Sequence, residues 1–186
     1  ATVLTPLFLE ADSQRKNGAF AGIDVAVHDL WARTFQVAGK DLLGSPPKSQ
    51  AQPATAPVGM KMPIAVVGRF FRSMGFEEFK LTVGDSADED RLLSLRKLVG
   101  NSMDLRVDAN EQWSAEEALH KLETFAKAGI TSCEQPVAGR NFEAMARVAY
   151  GGPIQIMADE SICTLEDARM LIDCQGASIW NLRLAK

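Results

Sequence analysis

Residues 103–136, MDLRVDANEQWSAEEALHKLETFAKAGITSCEQP, carry the pattern that decides the fold. Met103 to Val107 is a short strand-like run, and Asp108 follows it directly. Ser114 with Glu117 makes a capping box, in which each residue satisfies a backbone N–H that the first helical turn leaves open. The amphipathic helix that it opens stops near Gly129. Ile130 to Cys133 is the next short apolar run, and Glu134 follows it. Strand, helix and strand in this order predict a βαβ unit in a parallel sheet.

Working outward, the same alternation continues on both sides. Phe79 to Val83 reads as a strand, followed by a charged helix from Ser86 to about Val99 that ends at Gly100. Downstream come a helix over 141–150, a strand over 153–157, a helix from about Thr164 to Gly176 and a strand over 177–184. Upstream, Pro63 to Val67 fits either a short strand before a helix over 68–74 or one continuous helix starting at Pro63. The stretch 42–57 is rich in Pro, Ser, Gly and Ala and reads as a linker. Before it, residues 18–39 space Ile23, Val27 and Leu30 or Trp31 as one face of a helix, with His28 in a structural role. Met60, Met62, Phe70, Phe71, Met74 and Phe76 fall into core packing patterns, and Trp113 into packing at the mouth of the sheet.

Charged residues mark the strands. Lys80 lies on one, while Asp108, Glu134, Asp159 and Lys186 follow the ends of the next four, one about every 26 residues. A doubly wound sheet could produce this rhythm. Charges at successive carboxyl ends favour a barrel, whose site lies on that face. Neighbouring strand ends lie ~5 Å apart, so Asp108, Glu134 and Asp159 would repel one another. A divalent cation removes that cost. Oxygen ligands without His or Cys select a hard ion, Mg²⁺ first with Mn²⁺ as an alternative. Lys80 and Lys186 bracket the acids, and a lysine facing a cation-loaded site can have its pKa lowered and act as a base.

Composition narrows the classes. The 186 residues are 46% hydrophobic, enough for one sizeable core, and the net charge of −4 gives no reason to expect nucleic acid or an anionic membrane as partner. Cys133, Cys163 and Cys174 contain no C-x-x-C pair and suggest neither disulfides nor zinc, but buried or half-buried thiols. No apolar run approaches membrane-spanning length, so the expectation is a soluble, cytoplasmic protein.

The strings FKLTVG, LRVDANEQW, CEQP, ADES and NLRLAK, in this order and at these spacings, resemble the muconate-lactonizing-enzyme and mandelate-racemase-like subgroup of the enolase superfamily. GIDVAVHDLWARTFQVAGKDLLGS resembles the end of that family's capping domain. The resemblance implies an α/β fold: an incomplete TIM-type (β/α) barrel of about six of the usual eight units over 46–186, preceded over 1–45 by the helical end of an α+β capping domain. It implies an isomerase or lyase that abstracts the proton α to the carboxylate of a small-molecule substrate, through an enediolate. By resemblance Asp108, Glu134 and Asp159 are the Mg²⁺ ligands, and Asn110, Gln135 and Glu160 sit beside them and orient them. Lys186 is the acid/base, Lys80 positions the substrate carboxylate, and Asn181 occupies a position that is usually Asn. A homo-oligomer is expected. One departure stands out: where the subgroup carries Lys-x-Lys, this chain reads Lys80-Leu81-Thr82, so Thr82 holds the place of a second base. That disfavours a two-base racemase. An epimerase is then less favoured than a one-base elimination or cycloisomerisation, and a non-catalytic relative that self-associates along unpaired sheet edges or binds ligand without turnover is also left open.

Overall fold

A computed structural model describes residues 17–38, 41 and 54–183. They divide into two units. In the first, helix α1 (Asn17–Phe35) places His28 Nδ1 2.9 Å from the Asp24 carbonyl oxygen, a local bond in keeping with a structural histidine. Arg33 and Asp29 pair one turn apart, and Trp31 meets Phe35 edge to face.

The second unit alternates strands and helices throughout. Its elements are β1 (Thr55–Val58), α2 (Ile64–Ser73), β2 (Glu78–Thr82), α3 (Asp88–Val99), β3 (Asp104–Asp108), α4 (Ala115–Lys127), β4 (Ile130–Glu134), α5 (Phe142–Gly151), β5 (Gln155–Ala158), α6 (Leu165–Asp173) and β6 (Ile179–Trp180). All neighbouring strands pair in parallel, and their order in the sheet is their order in the chain. A doubly wound sheet reverses direction partway across. This one does not, and the winding is that of a (β/α) barrel wall.

Side chains alternate across a strand, so each strand serves two environments. Ala56, Val58, Phe79, Leu81, Leu105, Val107, Ile156 and Ala158 face the helices and are buried. Thr55, Lys80, Thr82, Arg106, Asp108 and Glu134 share the opposite, inner face. β4 keeps this parity only through a bulge. Leu105 pairs with Ile130 but Arg106 pairs with Ser132, so Thr131 is an extra residue in β4. In regular pairing onward from Leu105 and Ile130, Cys133 rather than Glu134 would face inward beside Asp108.

The capping box at Ser114 and Glu117 forms, and Thr164 with Asp167 makes another at α6. Three expectations fail. The strand that begins the sheet is Thr55–Val58, overlapping the end of the stretch read as linker; Ile64–Ser73 is one helix, the second of the two alternatives for that segment. Met62, Phe70 and Met74 are exposed, whereas Phe71 and Phe76 do pack against the core. Cys163 is exposed rather than buried. Buried Gly68 explains how α2 approaches α3: a Cβ there would lie 2.7 Å from Leu98 Cδ2.

Arg96 on α3 ties two turns together. Its guanidinium donates to the carbonyls of Ala128 (3.0 Å), Gly100 (2.8 Å), Met103 (2.8 Å) and Gly129 (2.6 Å). These carbonyls belong to the chain leaving α3 and leaving α4, which feed β3 and β4. Arg96→Met should therefore lower unfolding stability by about 2–4 kcal/mol, read as a shift in urea midpoint. Arg96→Lys, which cannot fork across four acceptors, should recover less than half of that loss.

Candidate functional site

The inner face concentrates charge at the carboxyl ends of β2 to β5. Lys80 projects from the middle of β2. Its Nζ donates to Asp108 Oδ2 at 3.0 Å and to Glu134 Oε2 at 2.7 Å. Asp108 and Glu134 are the last residues of β3 and β4 and are register partners. Asn181, just after β6, donates from Nδ2 to Glu134 Oε1 at 2.7 Å. The backbone N–H of Asn110 donates to Asp108 Oδ1 at 3.2 Å. Glu134 is only 2% exposed, and both its oxygens are engaged. Burial works to lower the Lys80 pKa, but hydrogen bonds to Glu134 and Asp108 outweigh it and hold the ammonium above its usual range. In this arrangement Lys80 is a cation, not a base.

Asp159 follows β5 and is buried. Its placement depends on Gln135, which is fully buried with φ 38°. Gln135 Oε1 accepts from the backbone N–H of Asp159 and of Ser161, both at 3.0 Å. Its Nε2 donates to Val137 O at 2.8 Å and to Ser161 Oγ at 2.7 Å. One side chain after β4 thus fixes the loop after β5. The loop after β3 joins them: Glu111 N donates to Gln135 O, Trp113 N to Pro136 O, and Gly139 N to the Glu111 carboxylate. Gly139 is needed for that approach, since a Cβ there would lie 2.7 Å from Glu111 Oε1 and 3.2 Å from Glu160 O. Trp113 is buried beside Phe125 under the Lys121 ammonium, in the packing role expected of it.

The three acids sit at adjacent strand ends, but Lys80 gathers only Asp108 and Glu134. Among the described residues no set of three acids, histidines or cysteines stands close enough to hold a metal ion. The donor chemistry nonetheless fits a hard cation, and the Lys80 ammonium already occupies a cationic position between two of the carboxylates. Thr82 is on the inner face as the register partner of Asp108. Glu160 is partly buried beside Asp159, and Lys186 lies outside the described residues. Sequence reading missed Glu111 and Ser161, although both stand within strings quoted for the site. It also missed a second charged tier below. Arg106 pairs with Asp104 (2.7 Å) and Glu78 (3.2 Å), and Thr55 donates to Glu78 at 2.7 Å. The thiol of Cys133 faces the helices, where burial pushes its pKa far up, with Asp108 and Glu134 adding to the effect. It is an inert packing group.

A parallel (β/α) wall with carboxylates at successive strand ends defines a barrel enzyme architecture. The chain belongs to the family described as Enolase C-terminal domain-like, which matches residues 65–186. It is 40% identical over 114 residues to a D-Ala-D/L-Ala epimerase of Cytophaga hutchinsonii, covering 60% of this chain and 31% of that one. It is 31% identical to a chloromuconate cycloisomerase of Pseudomonas putida, covering 89% of this chain and 46% of that protein. The solved dipeptide epimerase from Cytophaga hutchinsonii, complexed with Mg and the dipeptide D-Ala-L-Val, superposes with a TM-score of 0.80 at 32% identity. That match covers 91% of this chain and 46% of the other. The chain thus spans about a third to a half of the length of these relatives.

Gln135→Leu removes every hydrogen bond of the buried amide and strands the N–H groups of Asp159 and Ser161. It should cost about 3–5 kcal/mol of unfolding stability. Amide hydrogen exchange should show its largest loss of protection at Asp159 to Ile162 rather than in the helices.

Proposed function

We propose that the chain is the metal- and proton-handling half of an enzyme that abstracts the proton α to a substrate carboxylate, as an isomerase or lyase of the enolase superfamily. The observation that carries this reading is the set of Asp108, Glu134 and Asp159 at three consecutive strand ends, two of them already compensated by one ammonium. These three acids would hold Mg²⁺. A cation held there stabilises the negative charge that develops on a carboxylate when its α-proton leaves.

The chain's own groups do the rest. Gln135 fixes the backbone at Asp159, Asn110 N–H steadies Asp108, and Asn181 turns Glu134. Lys80, held as a cation on the inner face, orients the substrate carboxylate by charge. Lys186 takes and returns the α-proton. Thr82 faces inward where a second base would stand, and a hydroxyl does not remove an α-proton near neutral pH. One-base chemistry follows, with protons leaving and returning on the side of Lys186. The relatives include epimerases and cycloisomerases, so the substrate class is a small carboxylate such as a dipeptide or an unsaturated diacid.

A second reading has its own support. Among the described residues the three acids are not gathered as one set. A non-catalytic barrel wall that self-associates or binds ligand without turnover would show this feature.

Two measurements decide. Calorimetric titration of Mg²⁺ should give binding in the micromolar-to-millimolar range that Asp108→Ala abolishes. Absence of binding in both proteins would favour the second reading. Incubation with dipeptides and carboxylates in deuterium oxide should give Mg²⁺-dependent exchange at the α-position, reduced at least about a hundredfold by Lys186→Met. Exchange retained in that variant would remove Lys186 from the base role.

A further inference from the structure

We propose that Lys80 is the internal counter-ion of the carboxylate site, holding Asp108 and Glu134 together until a divalent cation takes its place. The inference rests on the metal reading above and adds a role that opposes metal binding.

The four carboxylate oxygens of Asp108 and Glu134 are all engaged. Asn110 N–H and Asn181 Nδ2 serve one on each residue, and the Lys80 ammonium serves the other two at 3.0 and 2.7 Å. Glu134 is 2% exposed, so its charge is compensated by these partners rather than by water. Without the ammonium two carboxylates would face one another at the inner wall, and a buried charge with its partner deleted is strongly destabilising. Among the described residues Arg106, on the same face, is committed to Asp104 and Glu78 and does not serve them.

A divalent cation that takes oxygens from Asp108 and Glu134 has to break both Lys80 contacts and then stand beside a positive charge. Lys80 therefore lowers the site's affinity for the cation while it stabilises the metal-free chain. Substitution should move these two properties in opposite directions. A residue that merely helped to build the site would move them together.

The test titrates Mg²⁺ by calorimetry into the whole chain as wild type, Lys80→Gln, Lys80→Met, Lys80→Arg and Asp108→Ala. Thermal melts follow in EDTA and at saturating Mg²⁺. Both neutral variants should bind Mg²⁺ at least about tenfold more tightly than wild type. They should also melt lower in EDTA and gain more from Mg²⁺. Lys80→Arg, which keeps the charge, should stay within about threefold of wild-type affinity. A neutral variant unfolded in EDTA but folded by Mg²⁺ also supports the proposal. Equal or weaker Mg²⁺ binding in both neutral variants, with wild-type binding abolished by Asp108→Ala, overturns it and leaves the metal reading intact. A neutral variant that stays unfolded at saturating Mg²⁺ overturns it too, because the cation then fails to replace the ammonium. If no protein binds Mg²⁺, the metal reading falls first and this one with it.

Discussion

A carboxylate shut away from water has to be compensated, and Glu134 is the residue on which that requirement falls hardest. Its position at the end of β4, deep between β3 and β5, leaves it dependent on Lys80 from β2 and Asn181 after β6. Compensation therefore comes from strands on both sides, and the inner face is electrically coherent only when five consecutive strands are in register. The order of the sheet, the bulge at Thr131 and the clamp at Gln135 can all be understood as conditions for that one compensation. The bulge gives β4 the right parity, and Gln135 fixes the adjoining loop.

The inner face separates its charges into two tiers. Glu78, Asp104 and Arg106 neutralise one another near the amino ends of the strands, and Lys80, Asp108 and Glu134 do so near the carboxyl ends. Lys80 and Arg106 are register partners on adjacent strands, yet their head groups run in opposite directions. Each cation is saturated by its own pair of acids. The lower tier thus insulates the upper one, since an unpaired Glu78 would compete with Asp108 and Glu134 for the Lys80 ammonium. The stability of the wall and the chemistry of its rim are served by different residues two positions apart.

The βα rhythm was legible because its signals are local. The Ser114–Glu117 box, the stop at Gly129 and the strand-end acids each need only a few neighbouring residues, and each forms as read. β1 was not legible because Thr55-Ala56-Pro57-Val58 is four residues long with a central proline, which reads as a breaker. The exposure of Phe70 and Met74 escaped because helical spacing fixes which residues share a face, not whether another element covers it. The bulge escaped for a related reason. One extra residue in ITSCE is invisible until the pairing partner is known. In the site, the acids stood out as charges at strand ends. Glu111 and Ser161 act through backbone N–H groups and an amide from other loops, a relation that exists only in three dimensions.

Relatives of similar likeness to this chain carry the names of epimerases and of cycloisomerases, so the barrel wall they share does not select between the two reactions. What can select is the number of proton-handling groups on opposite sides of the substrate. On the reading proposed above, the metal ligands and Lys80 set up the same charge problem for either reaction, and position 82 decides how many bases can address it. A threonine there shares the inner face with Lys80 and sits in register with Asp108, but with an ordinary alcohol's reluctance to lose or take a proton. Inverting a stereocentre with a single base requires either that the planar intermediate turn over or that the proton return from solvent on the other side. Cycloisomerisation and elimination ask for neither. On that proposed reading, the side chain at position 82 favours those two reactions over inversion, independently of the residues that recognise the rest of the substrate.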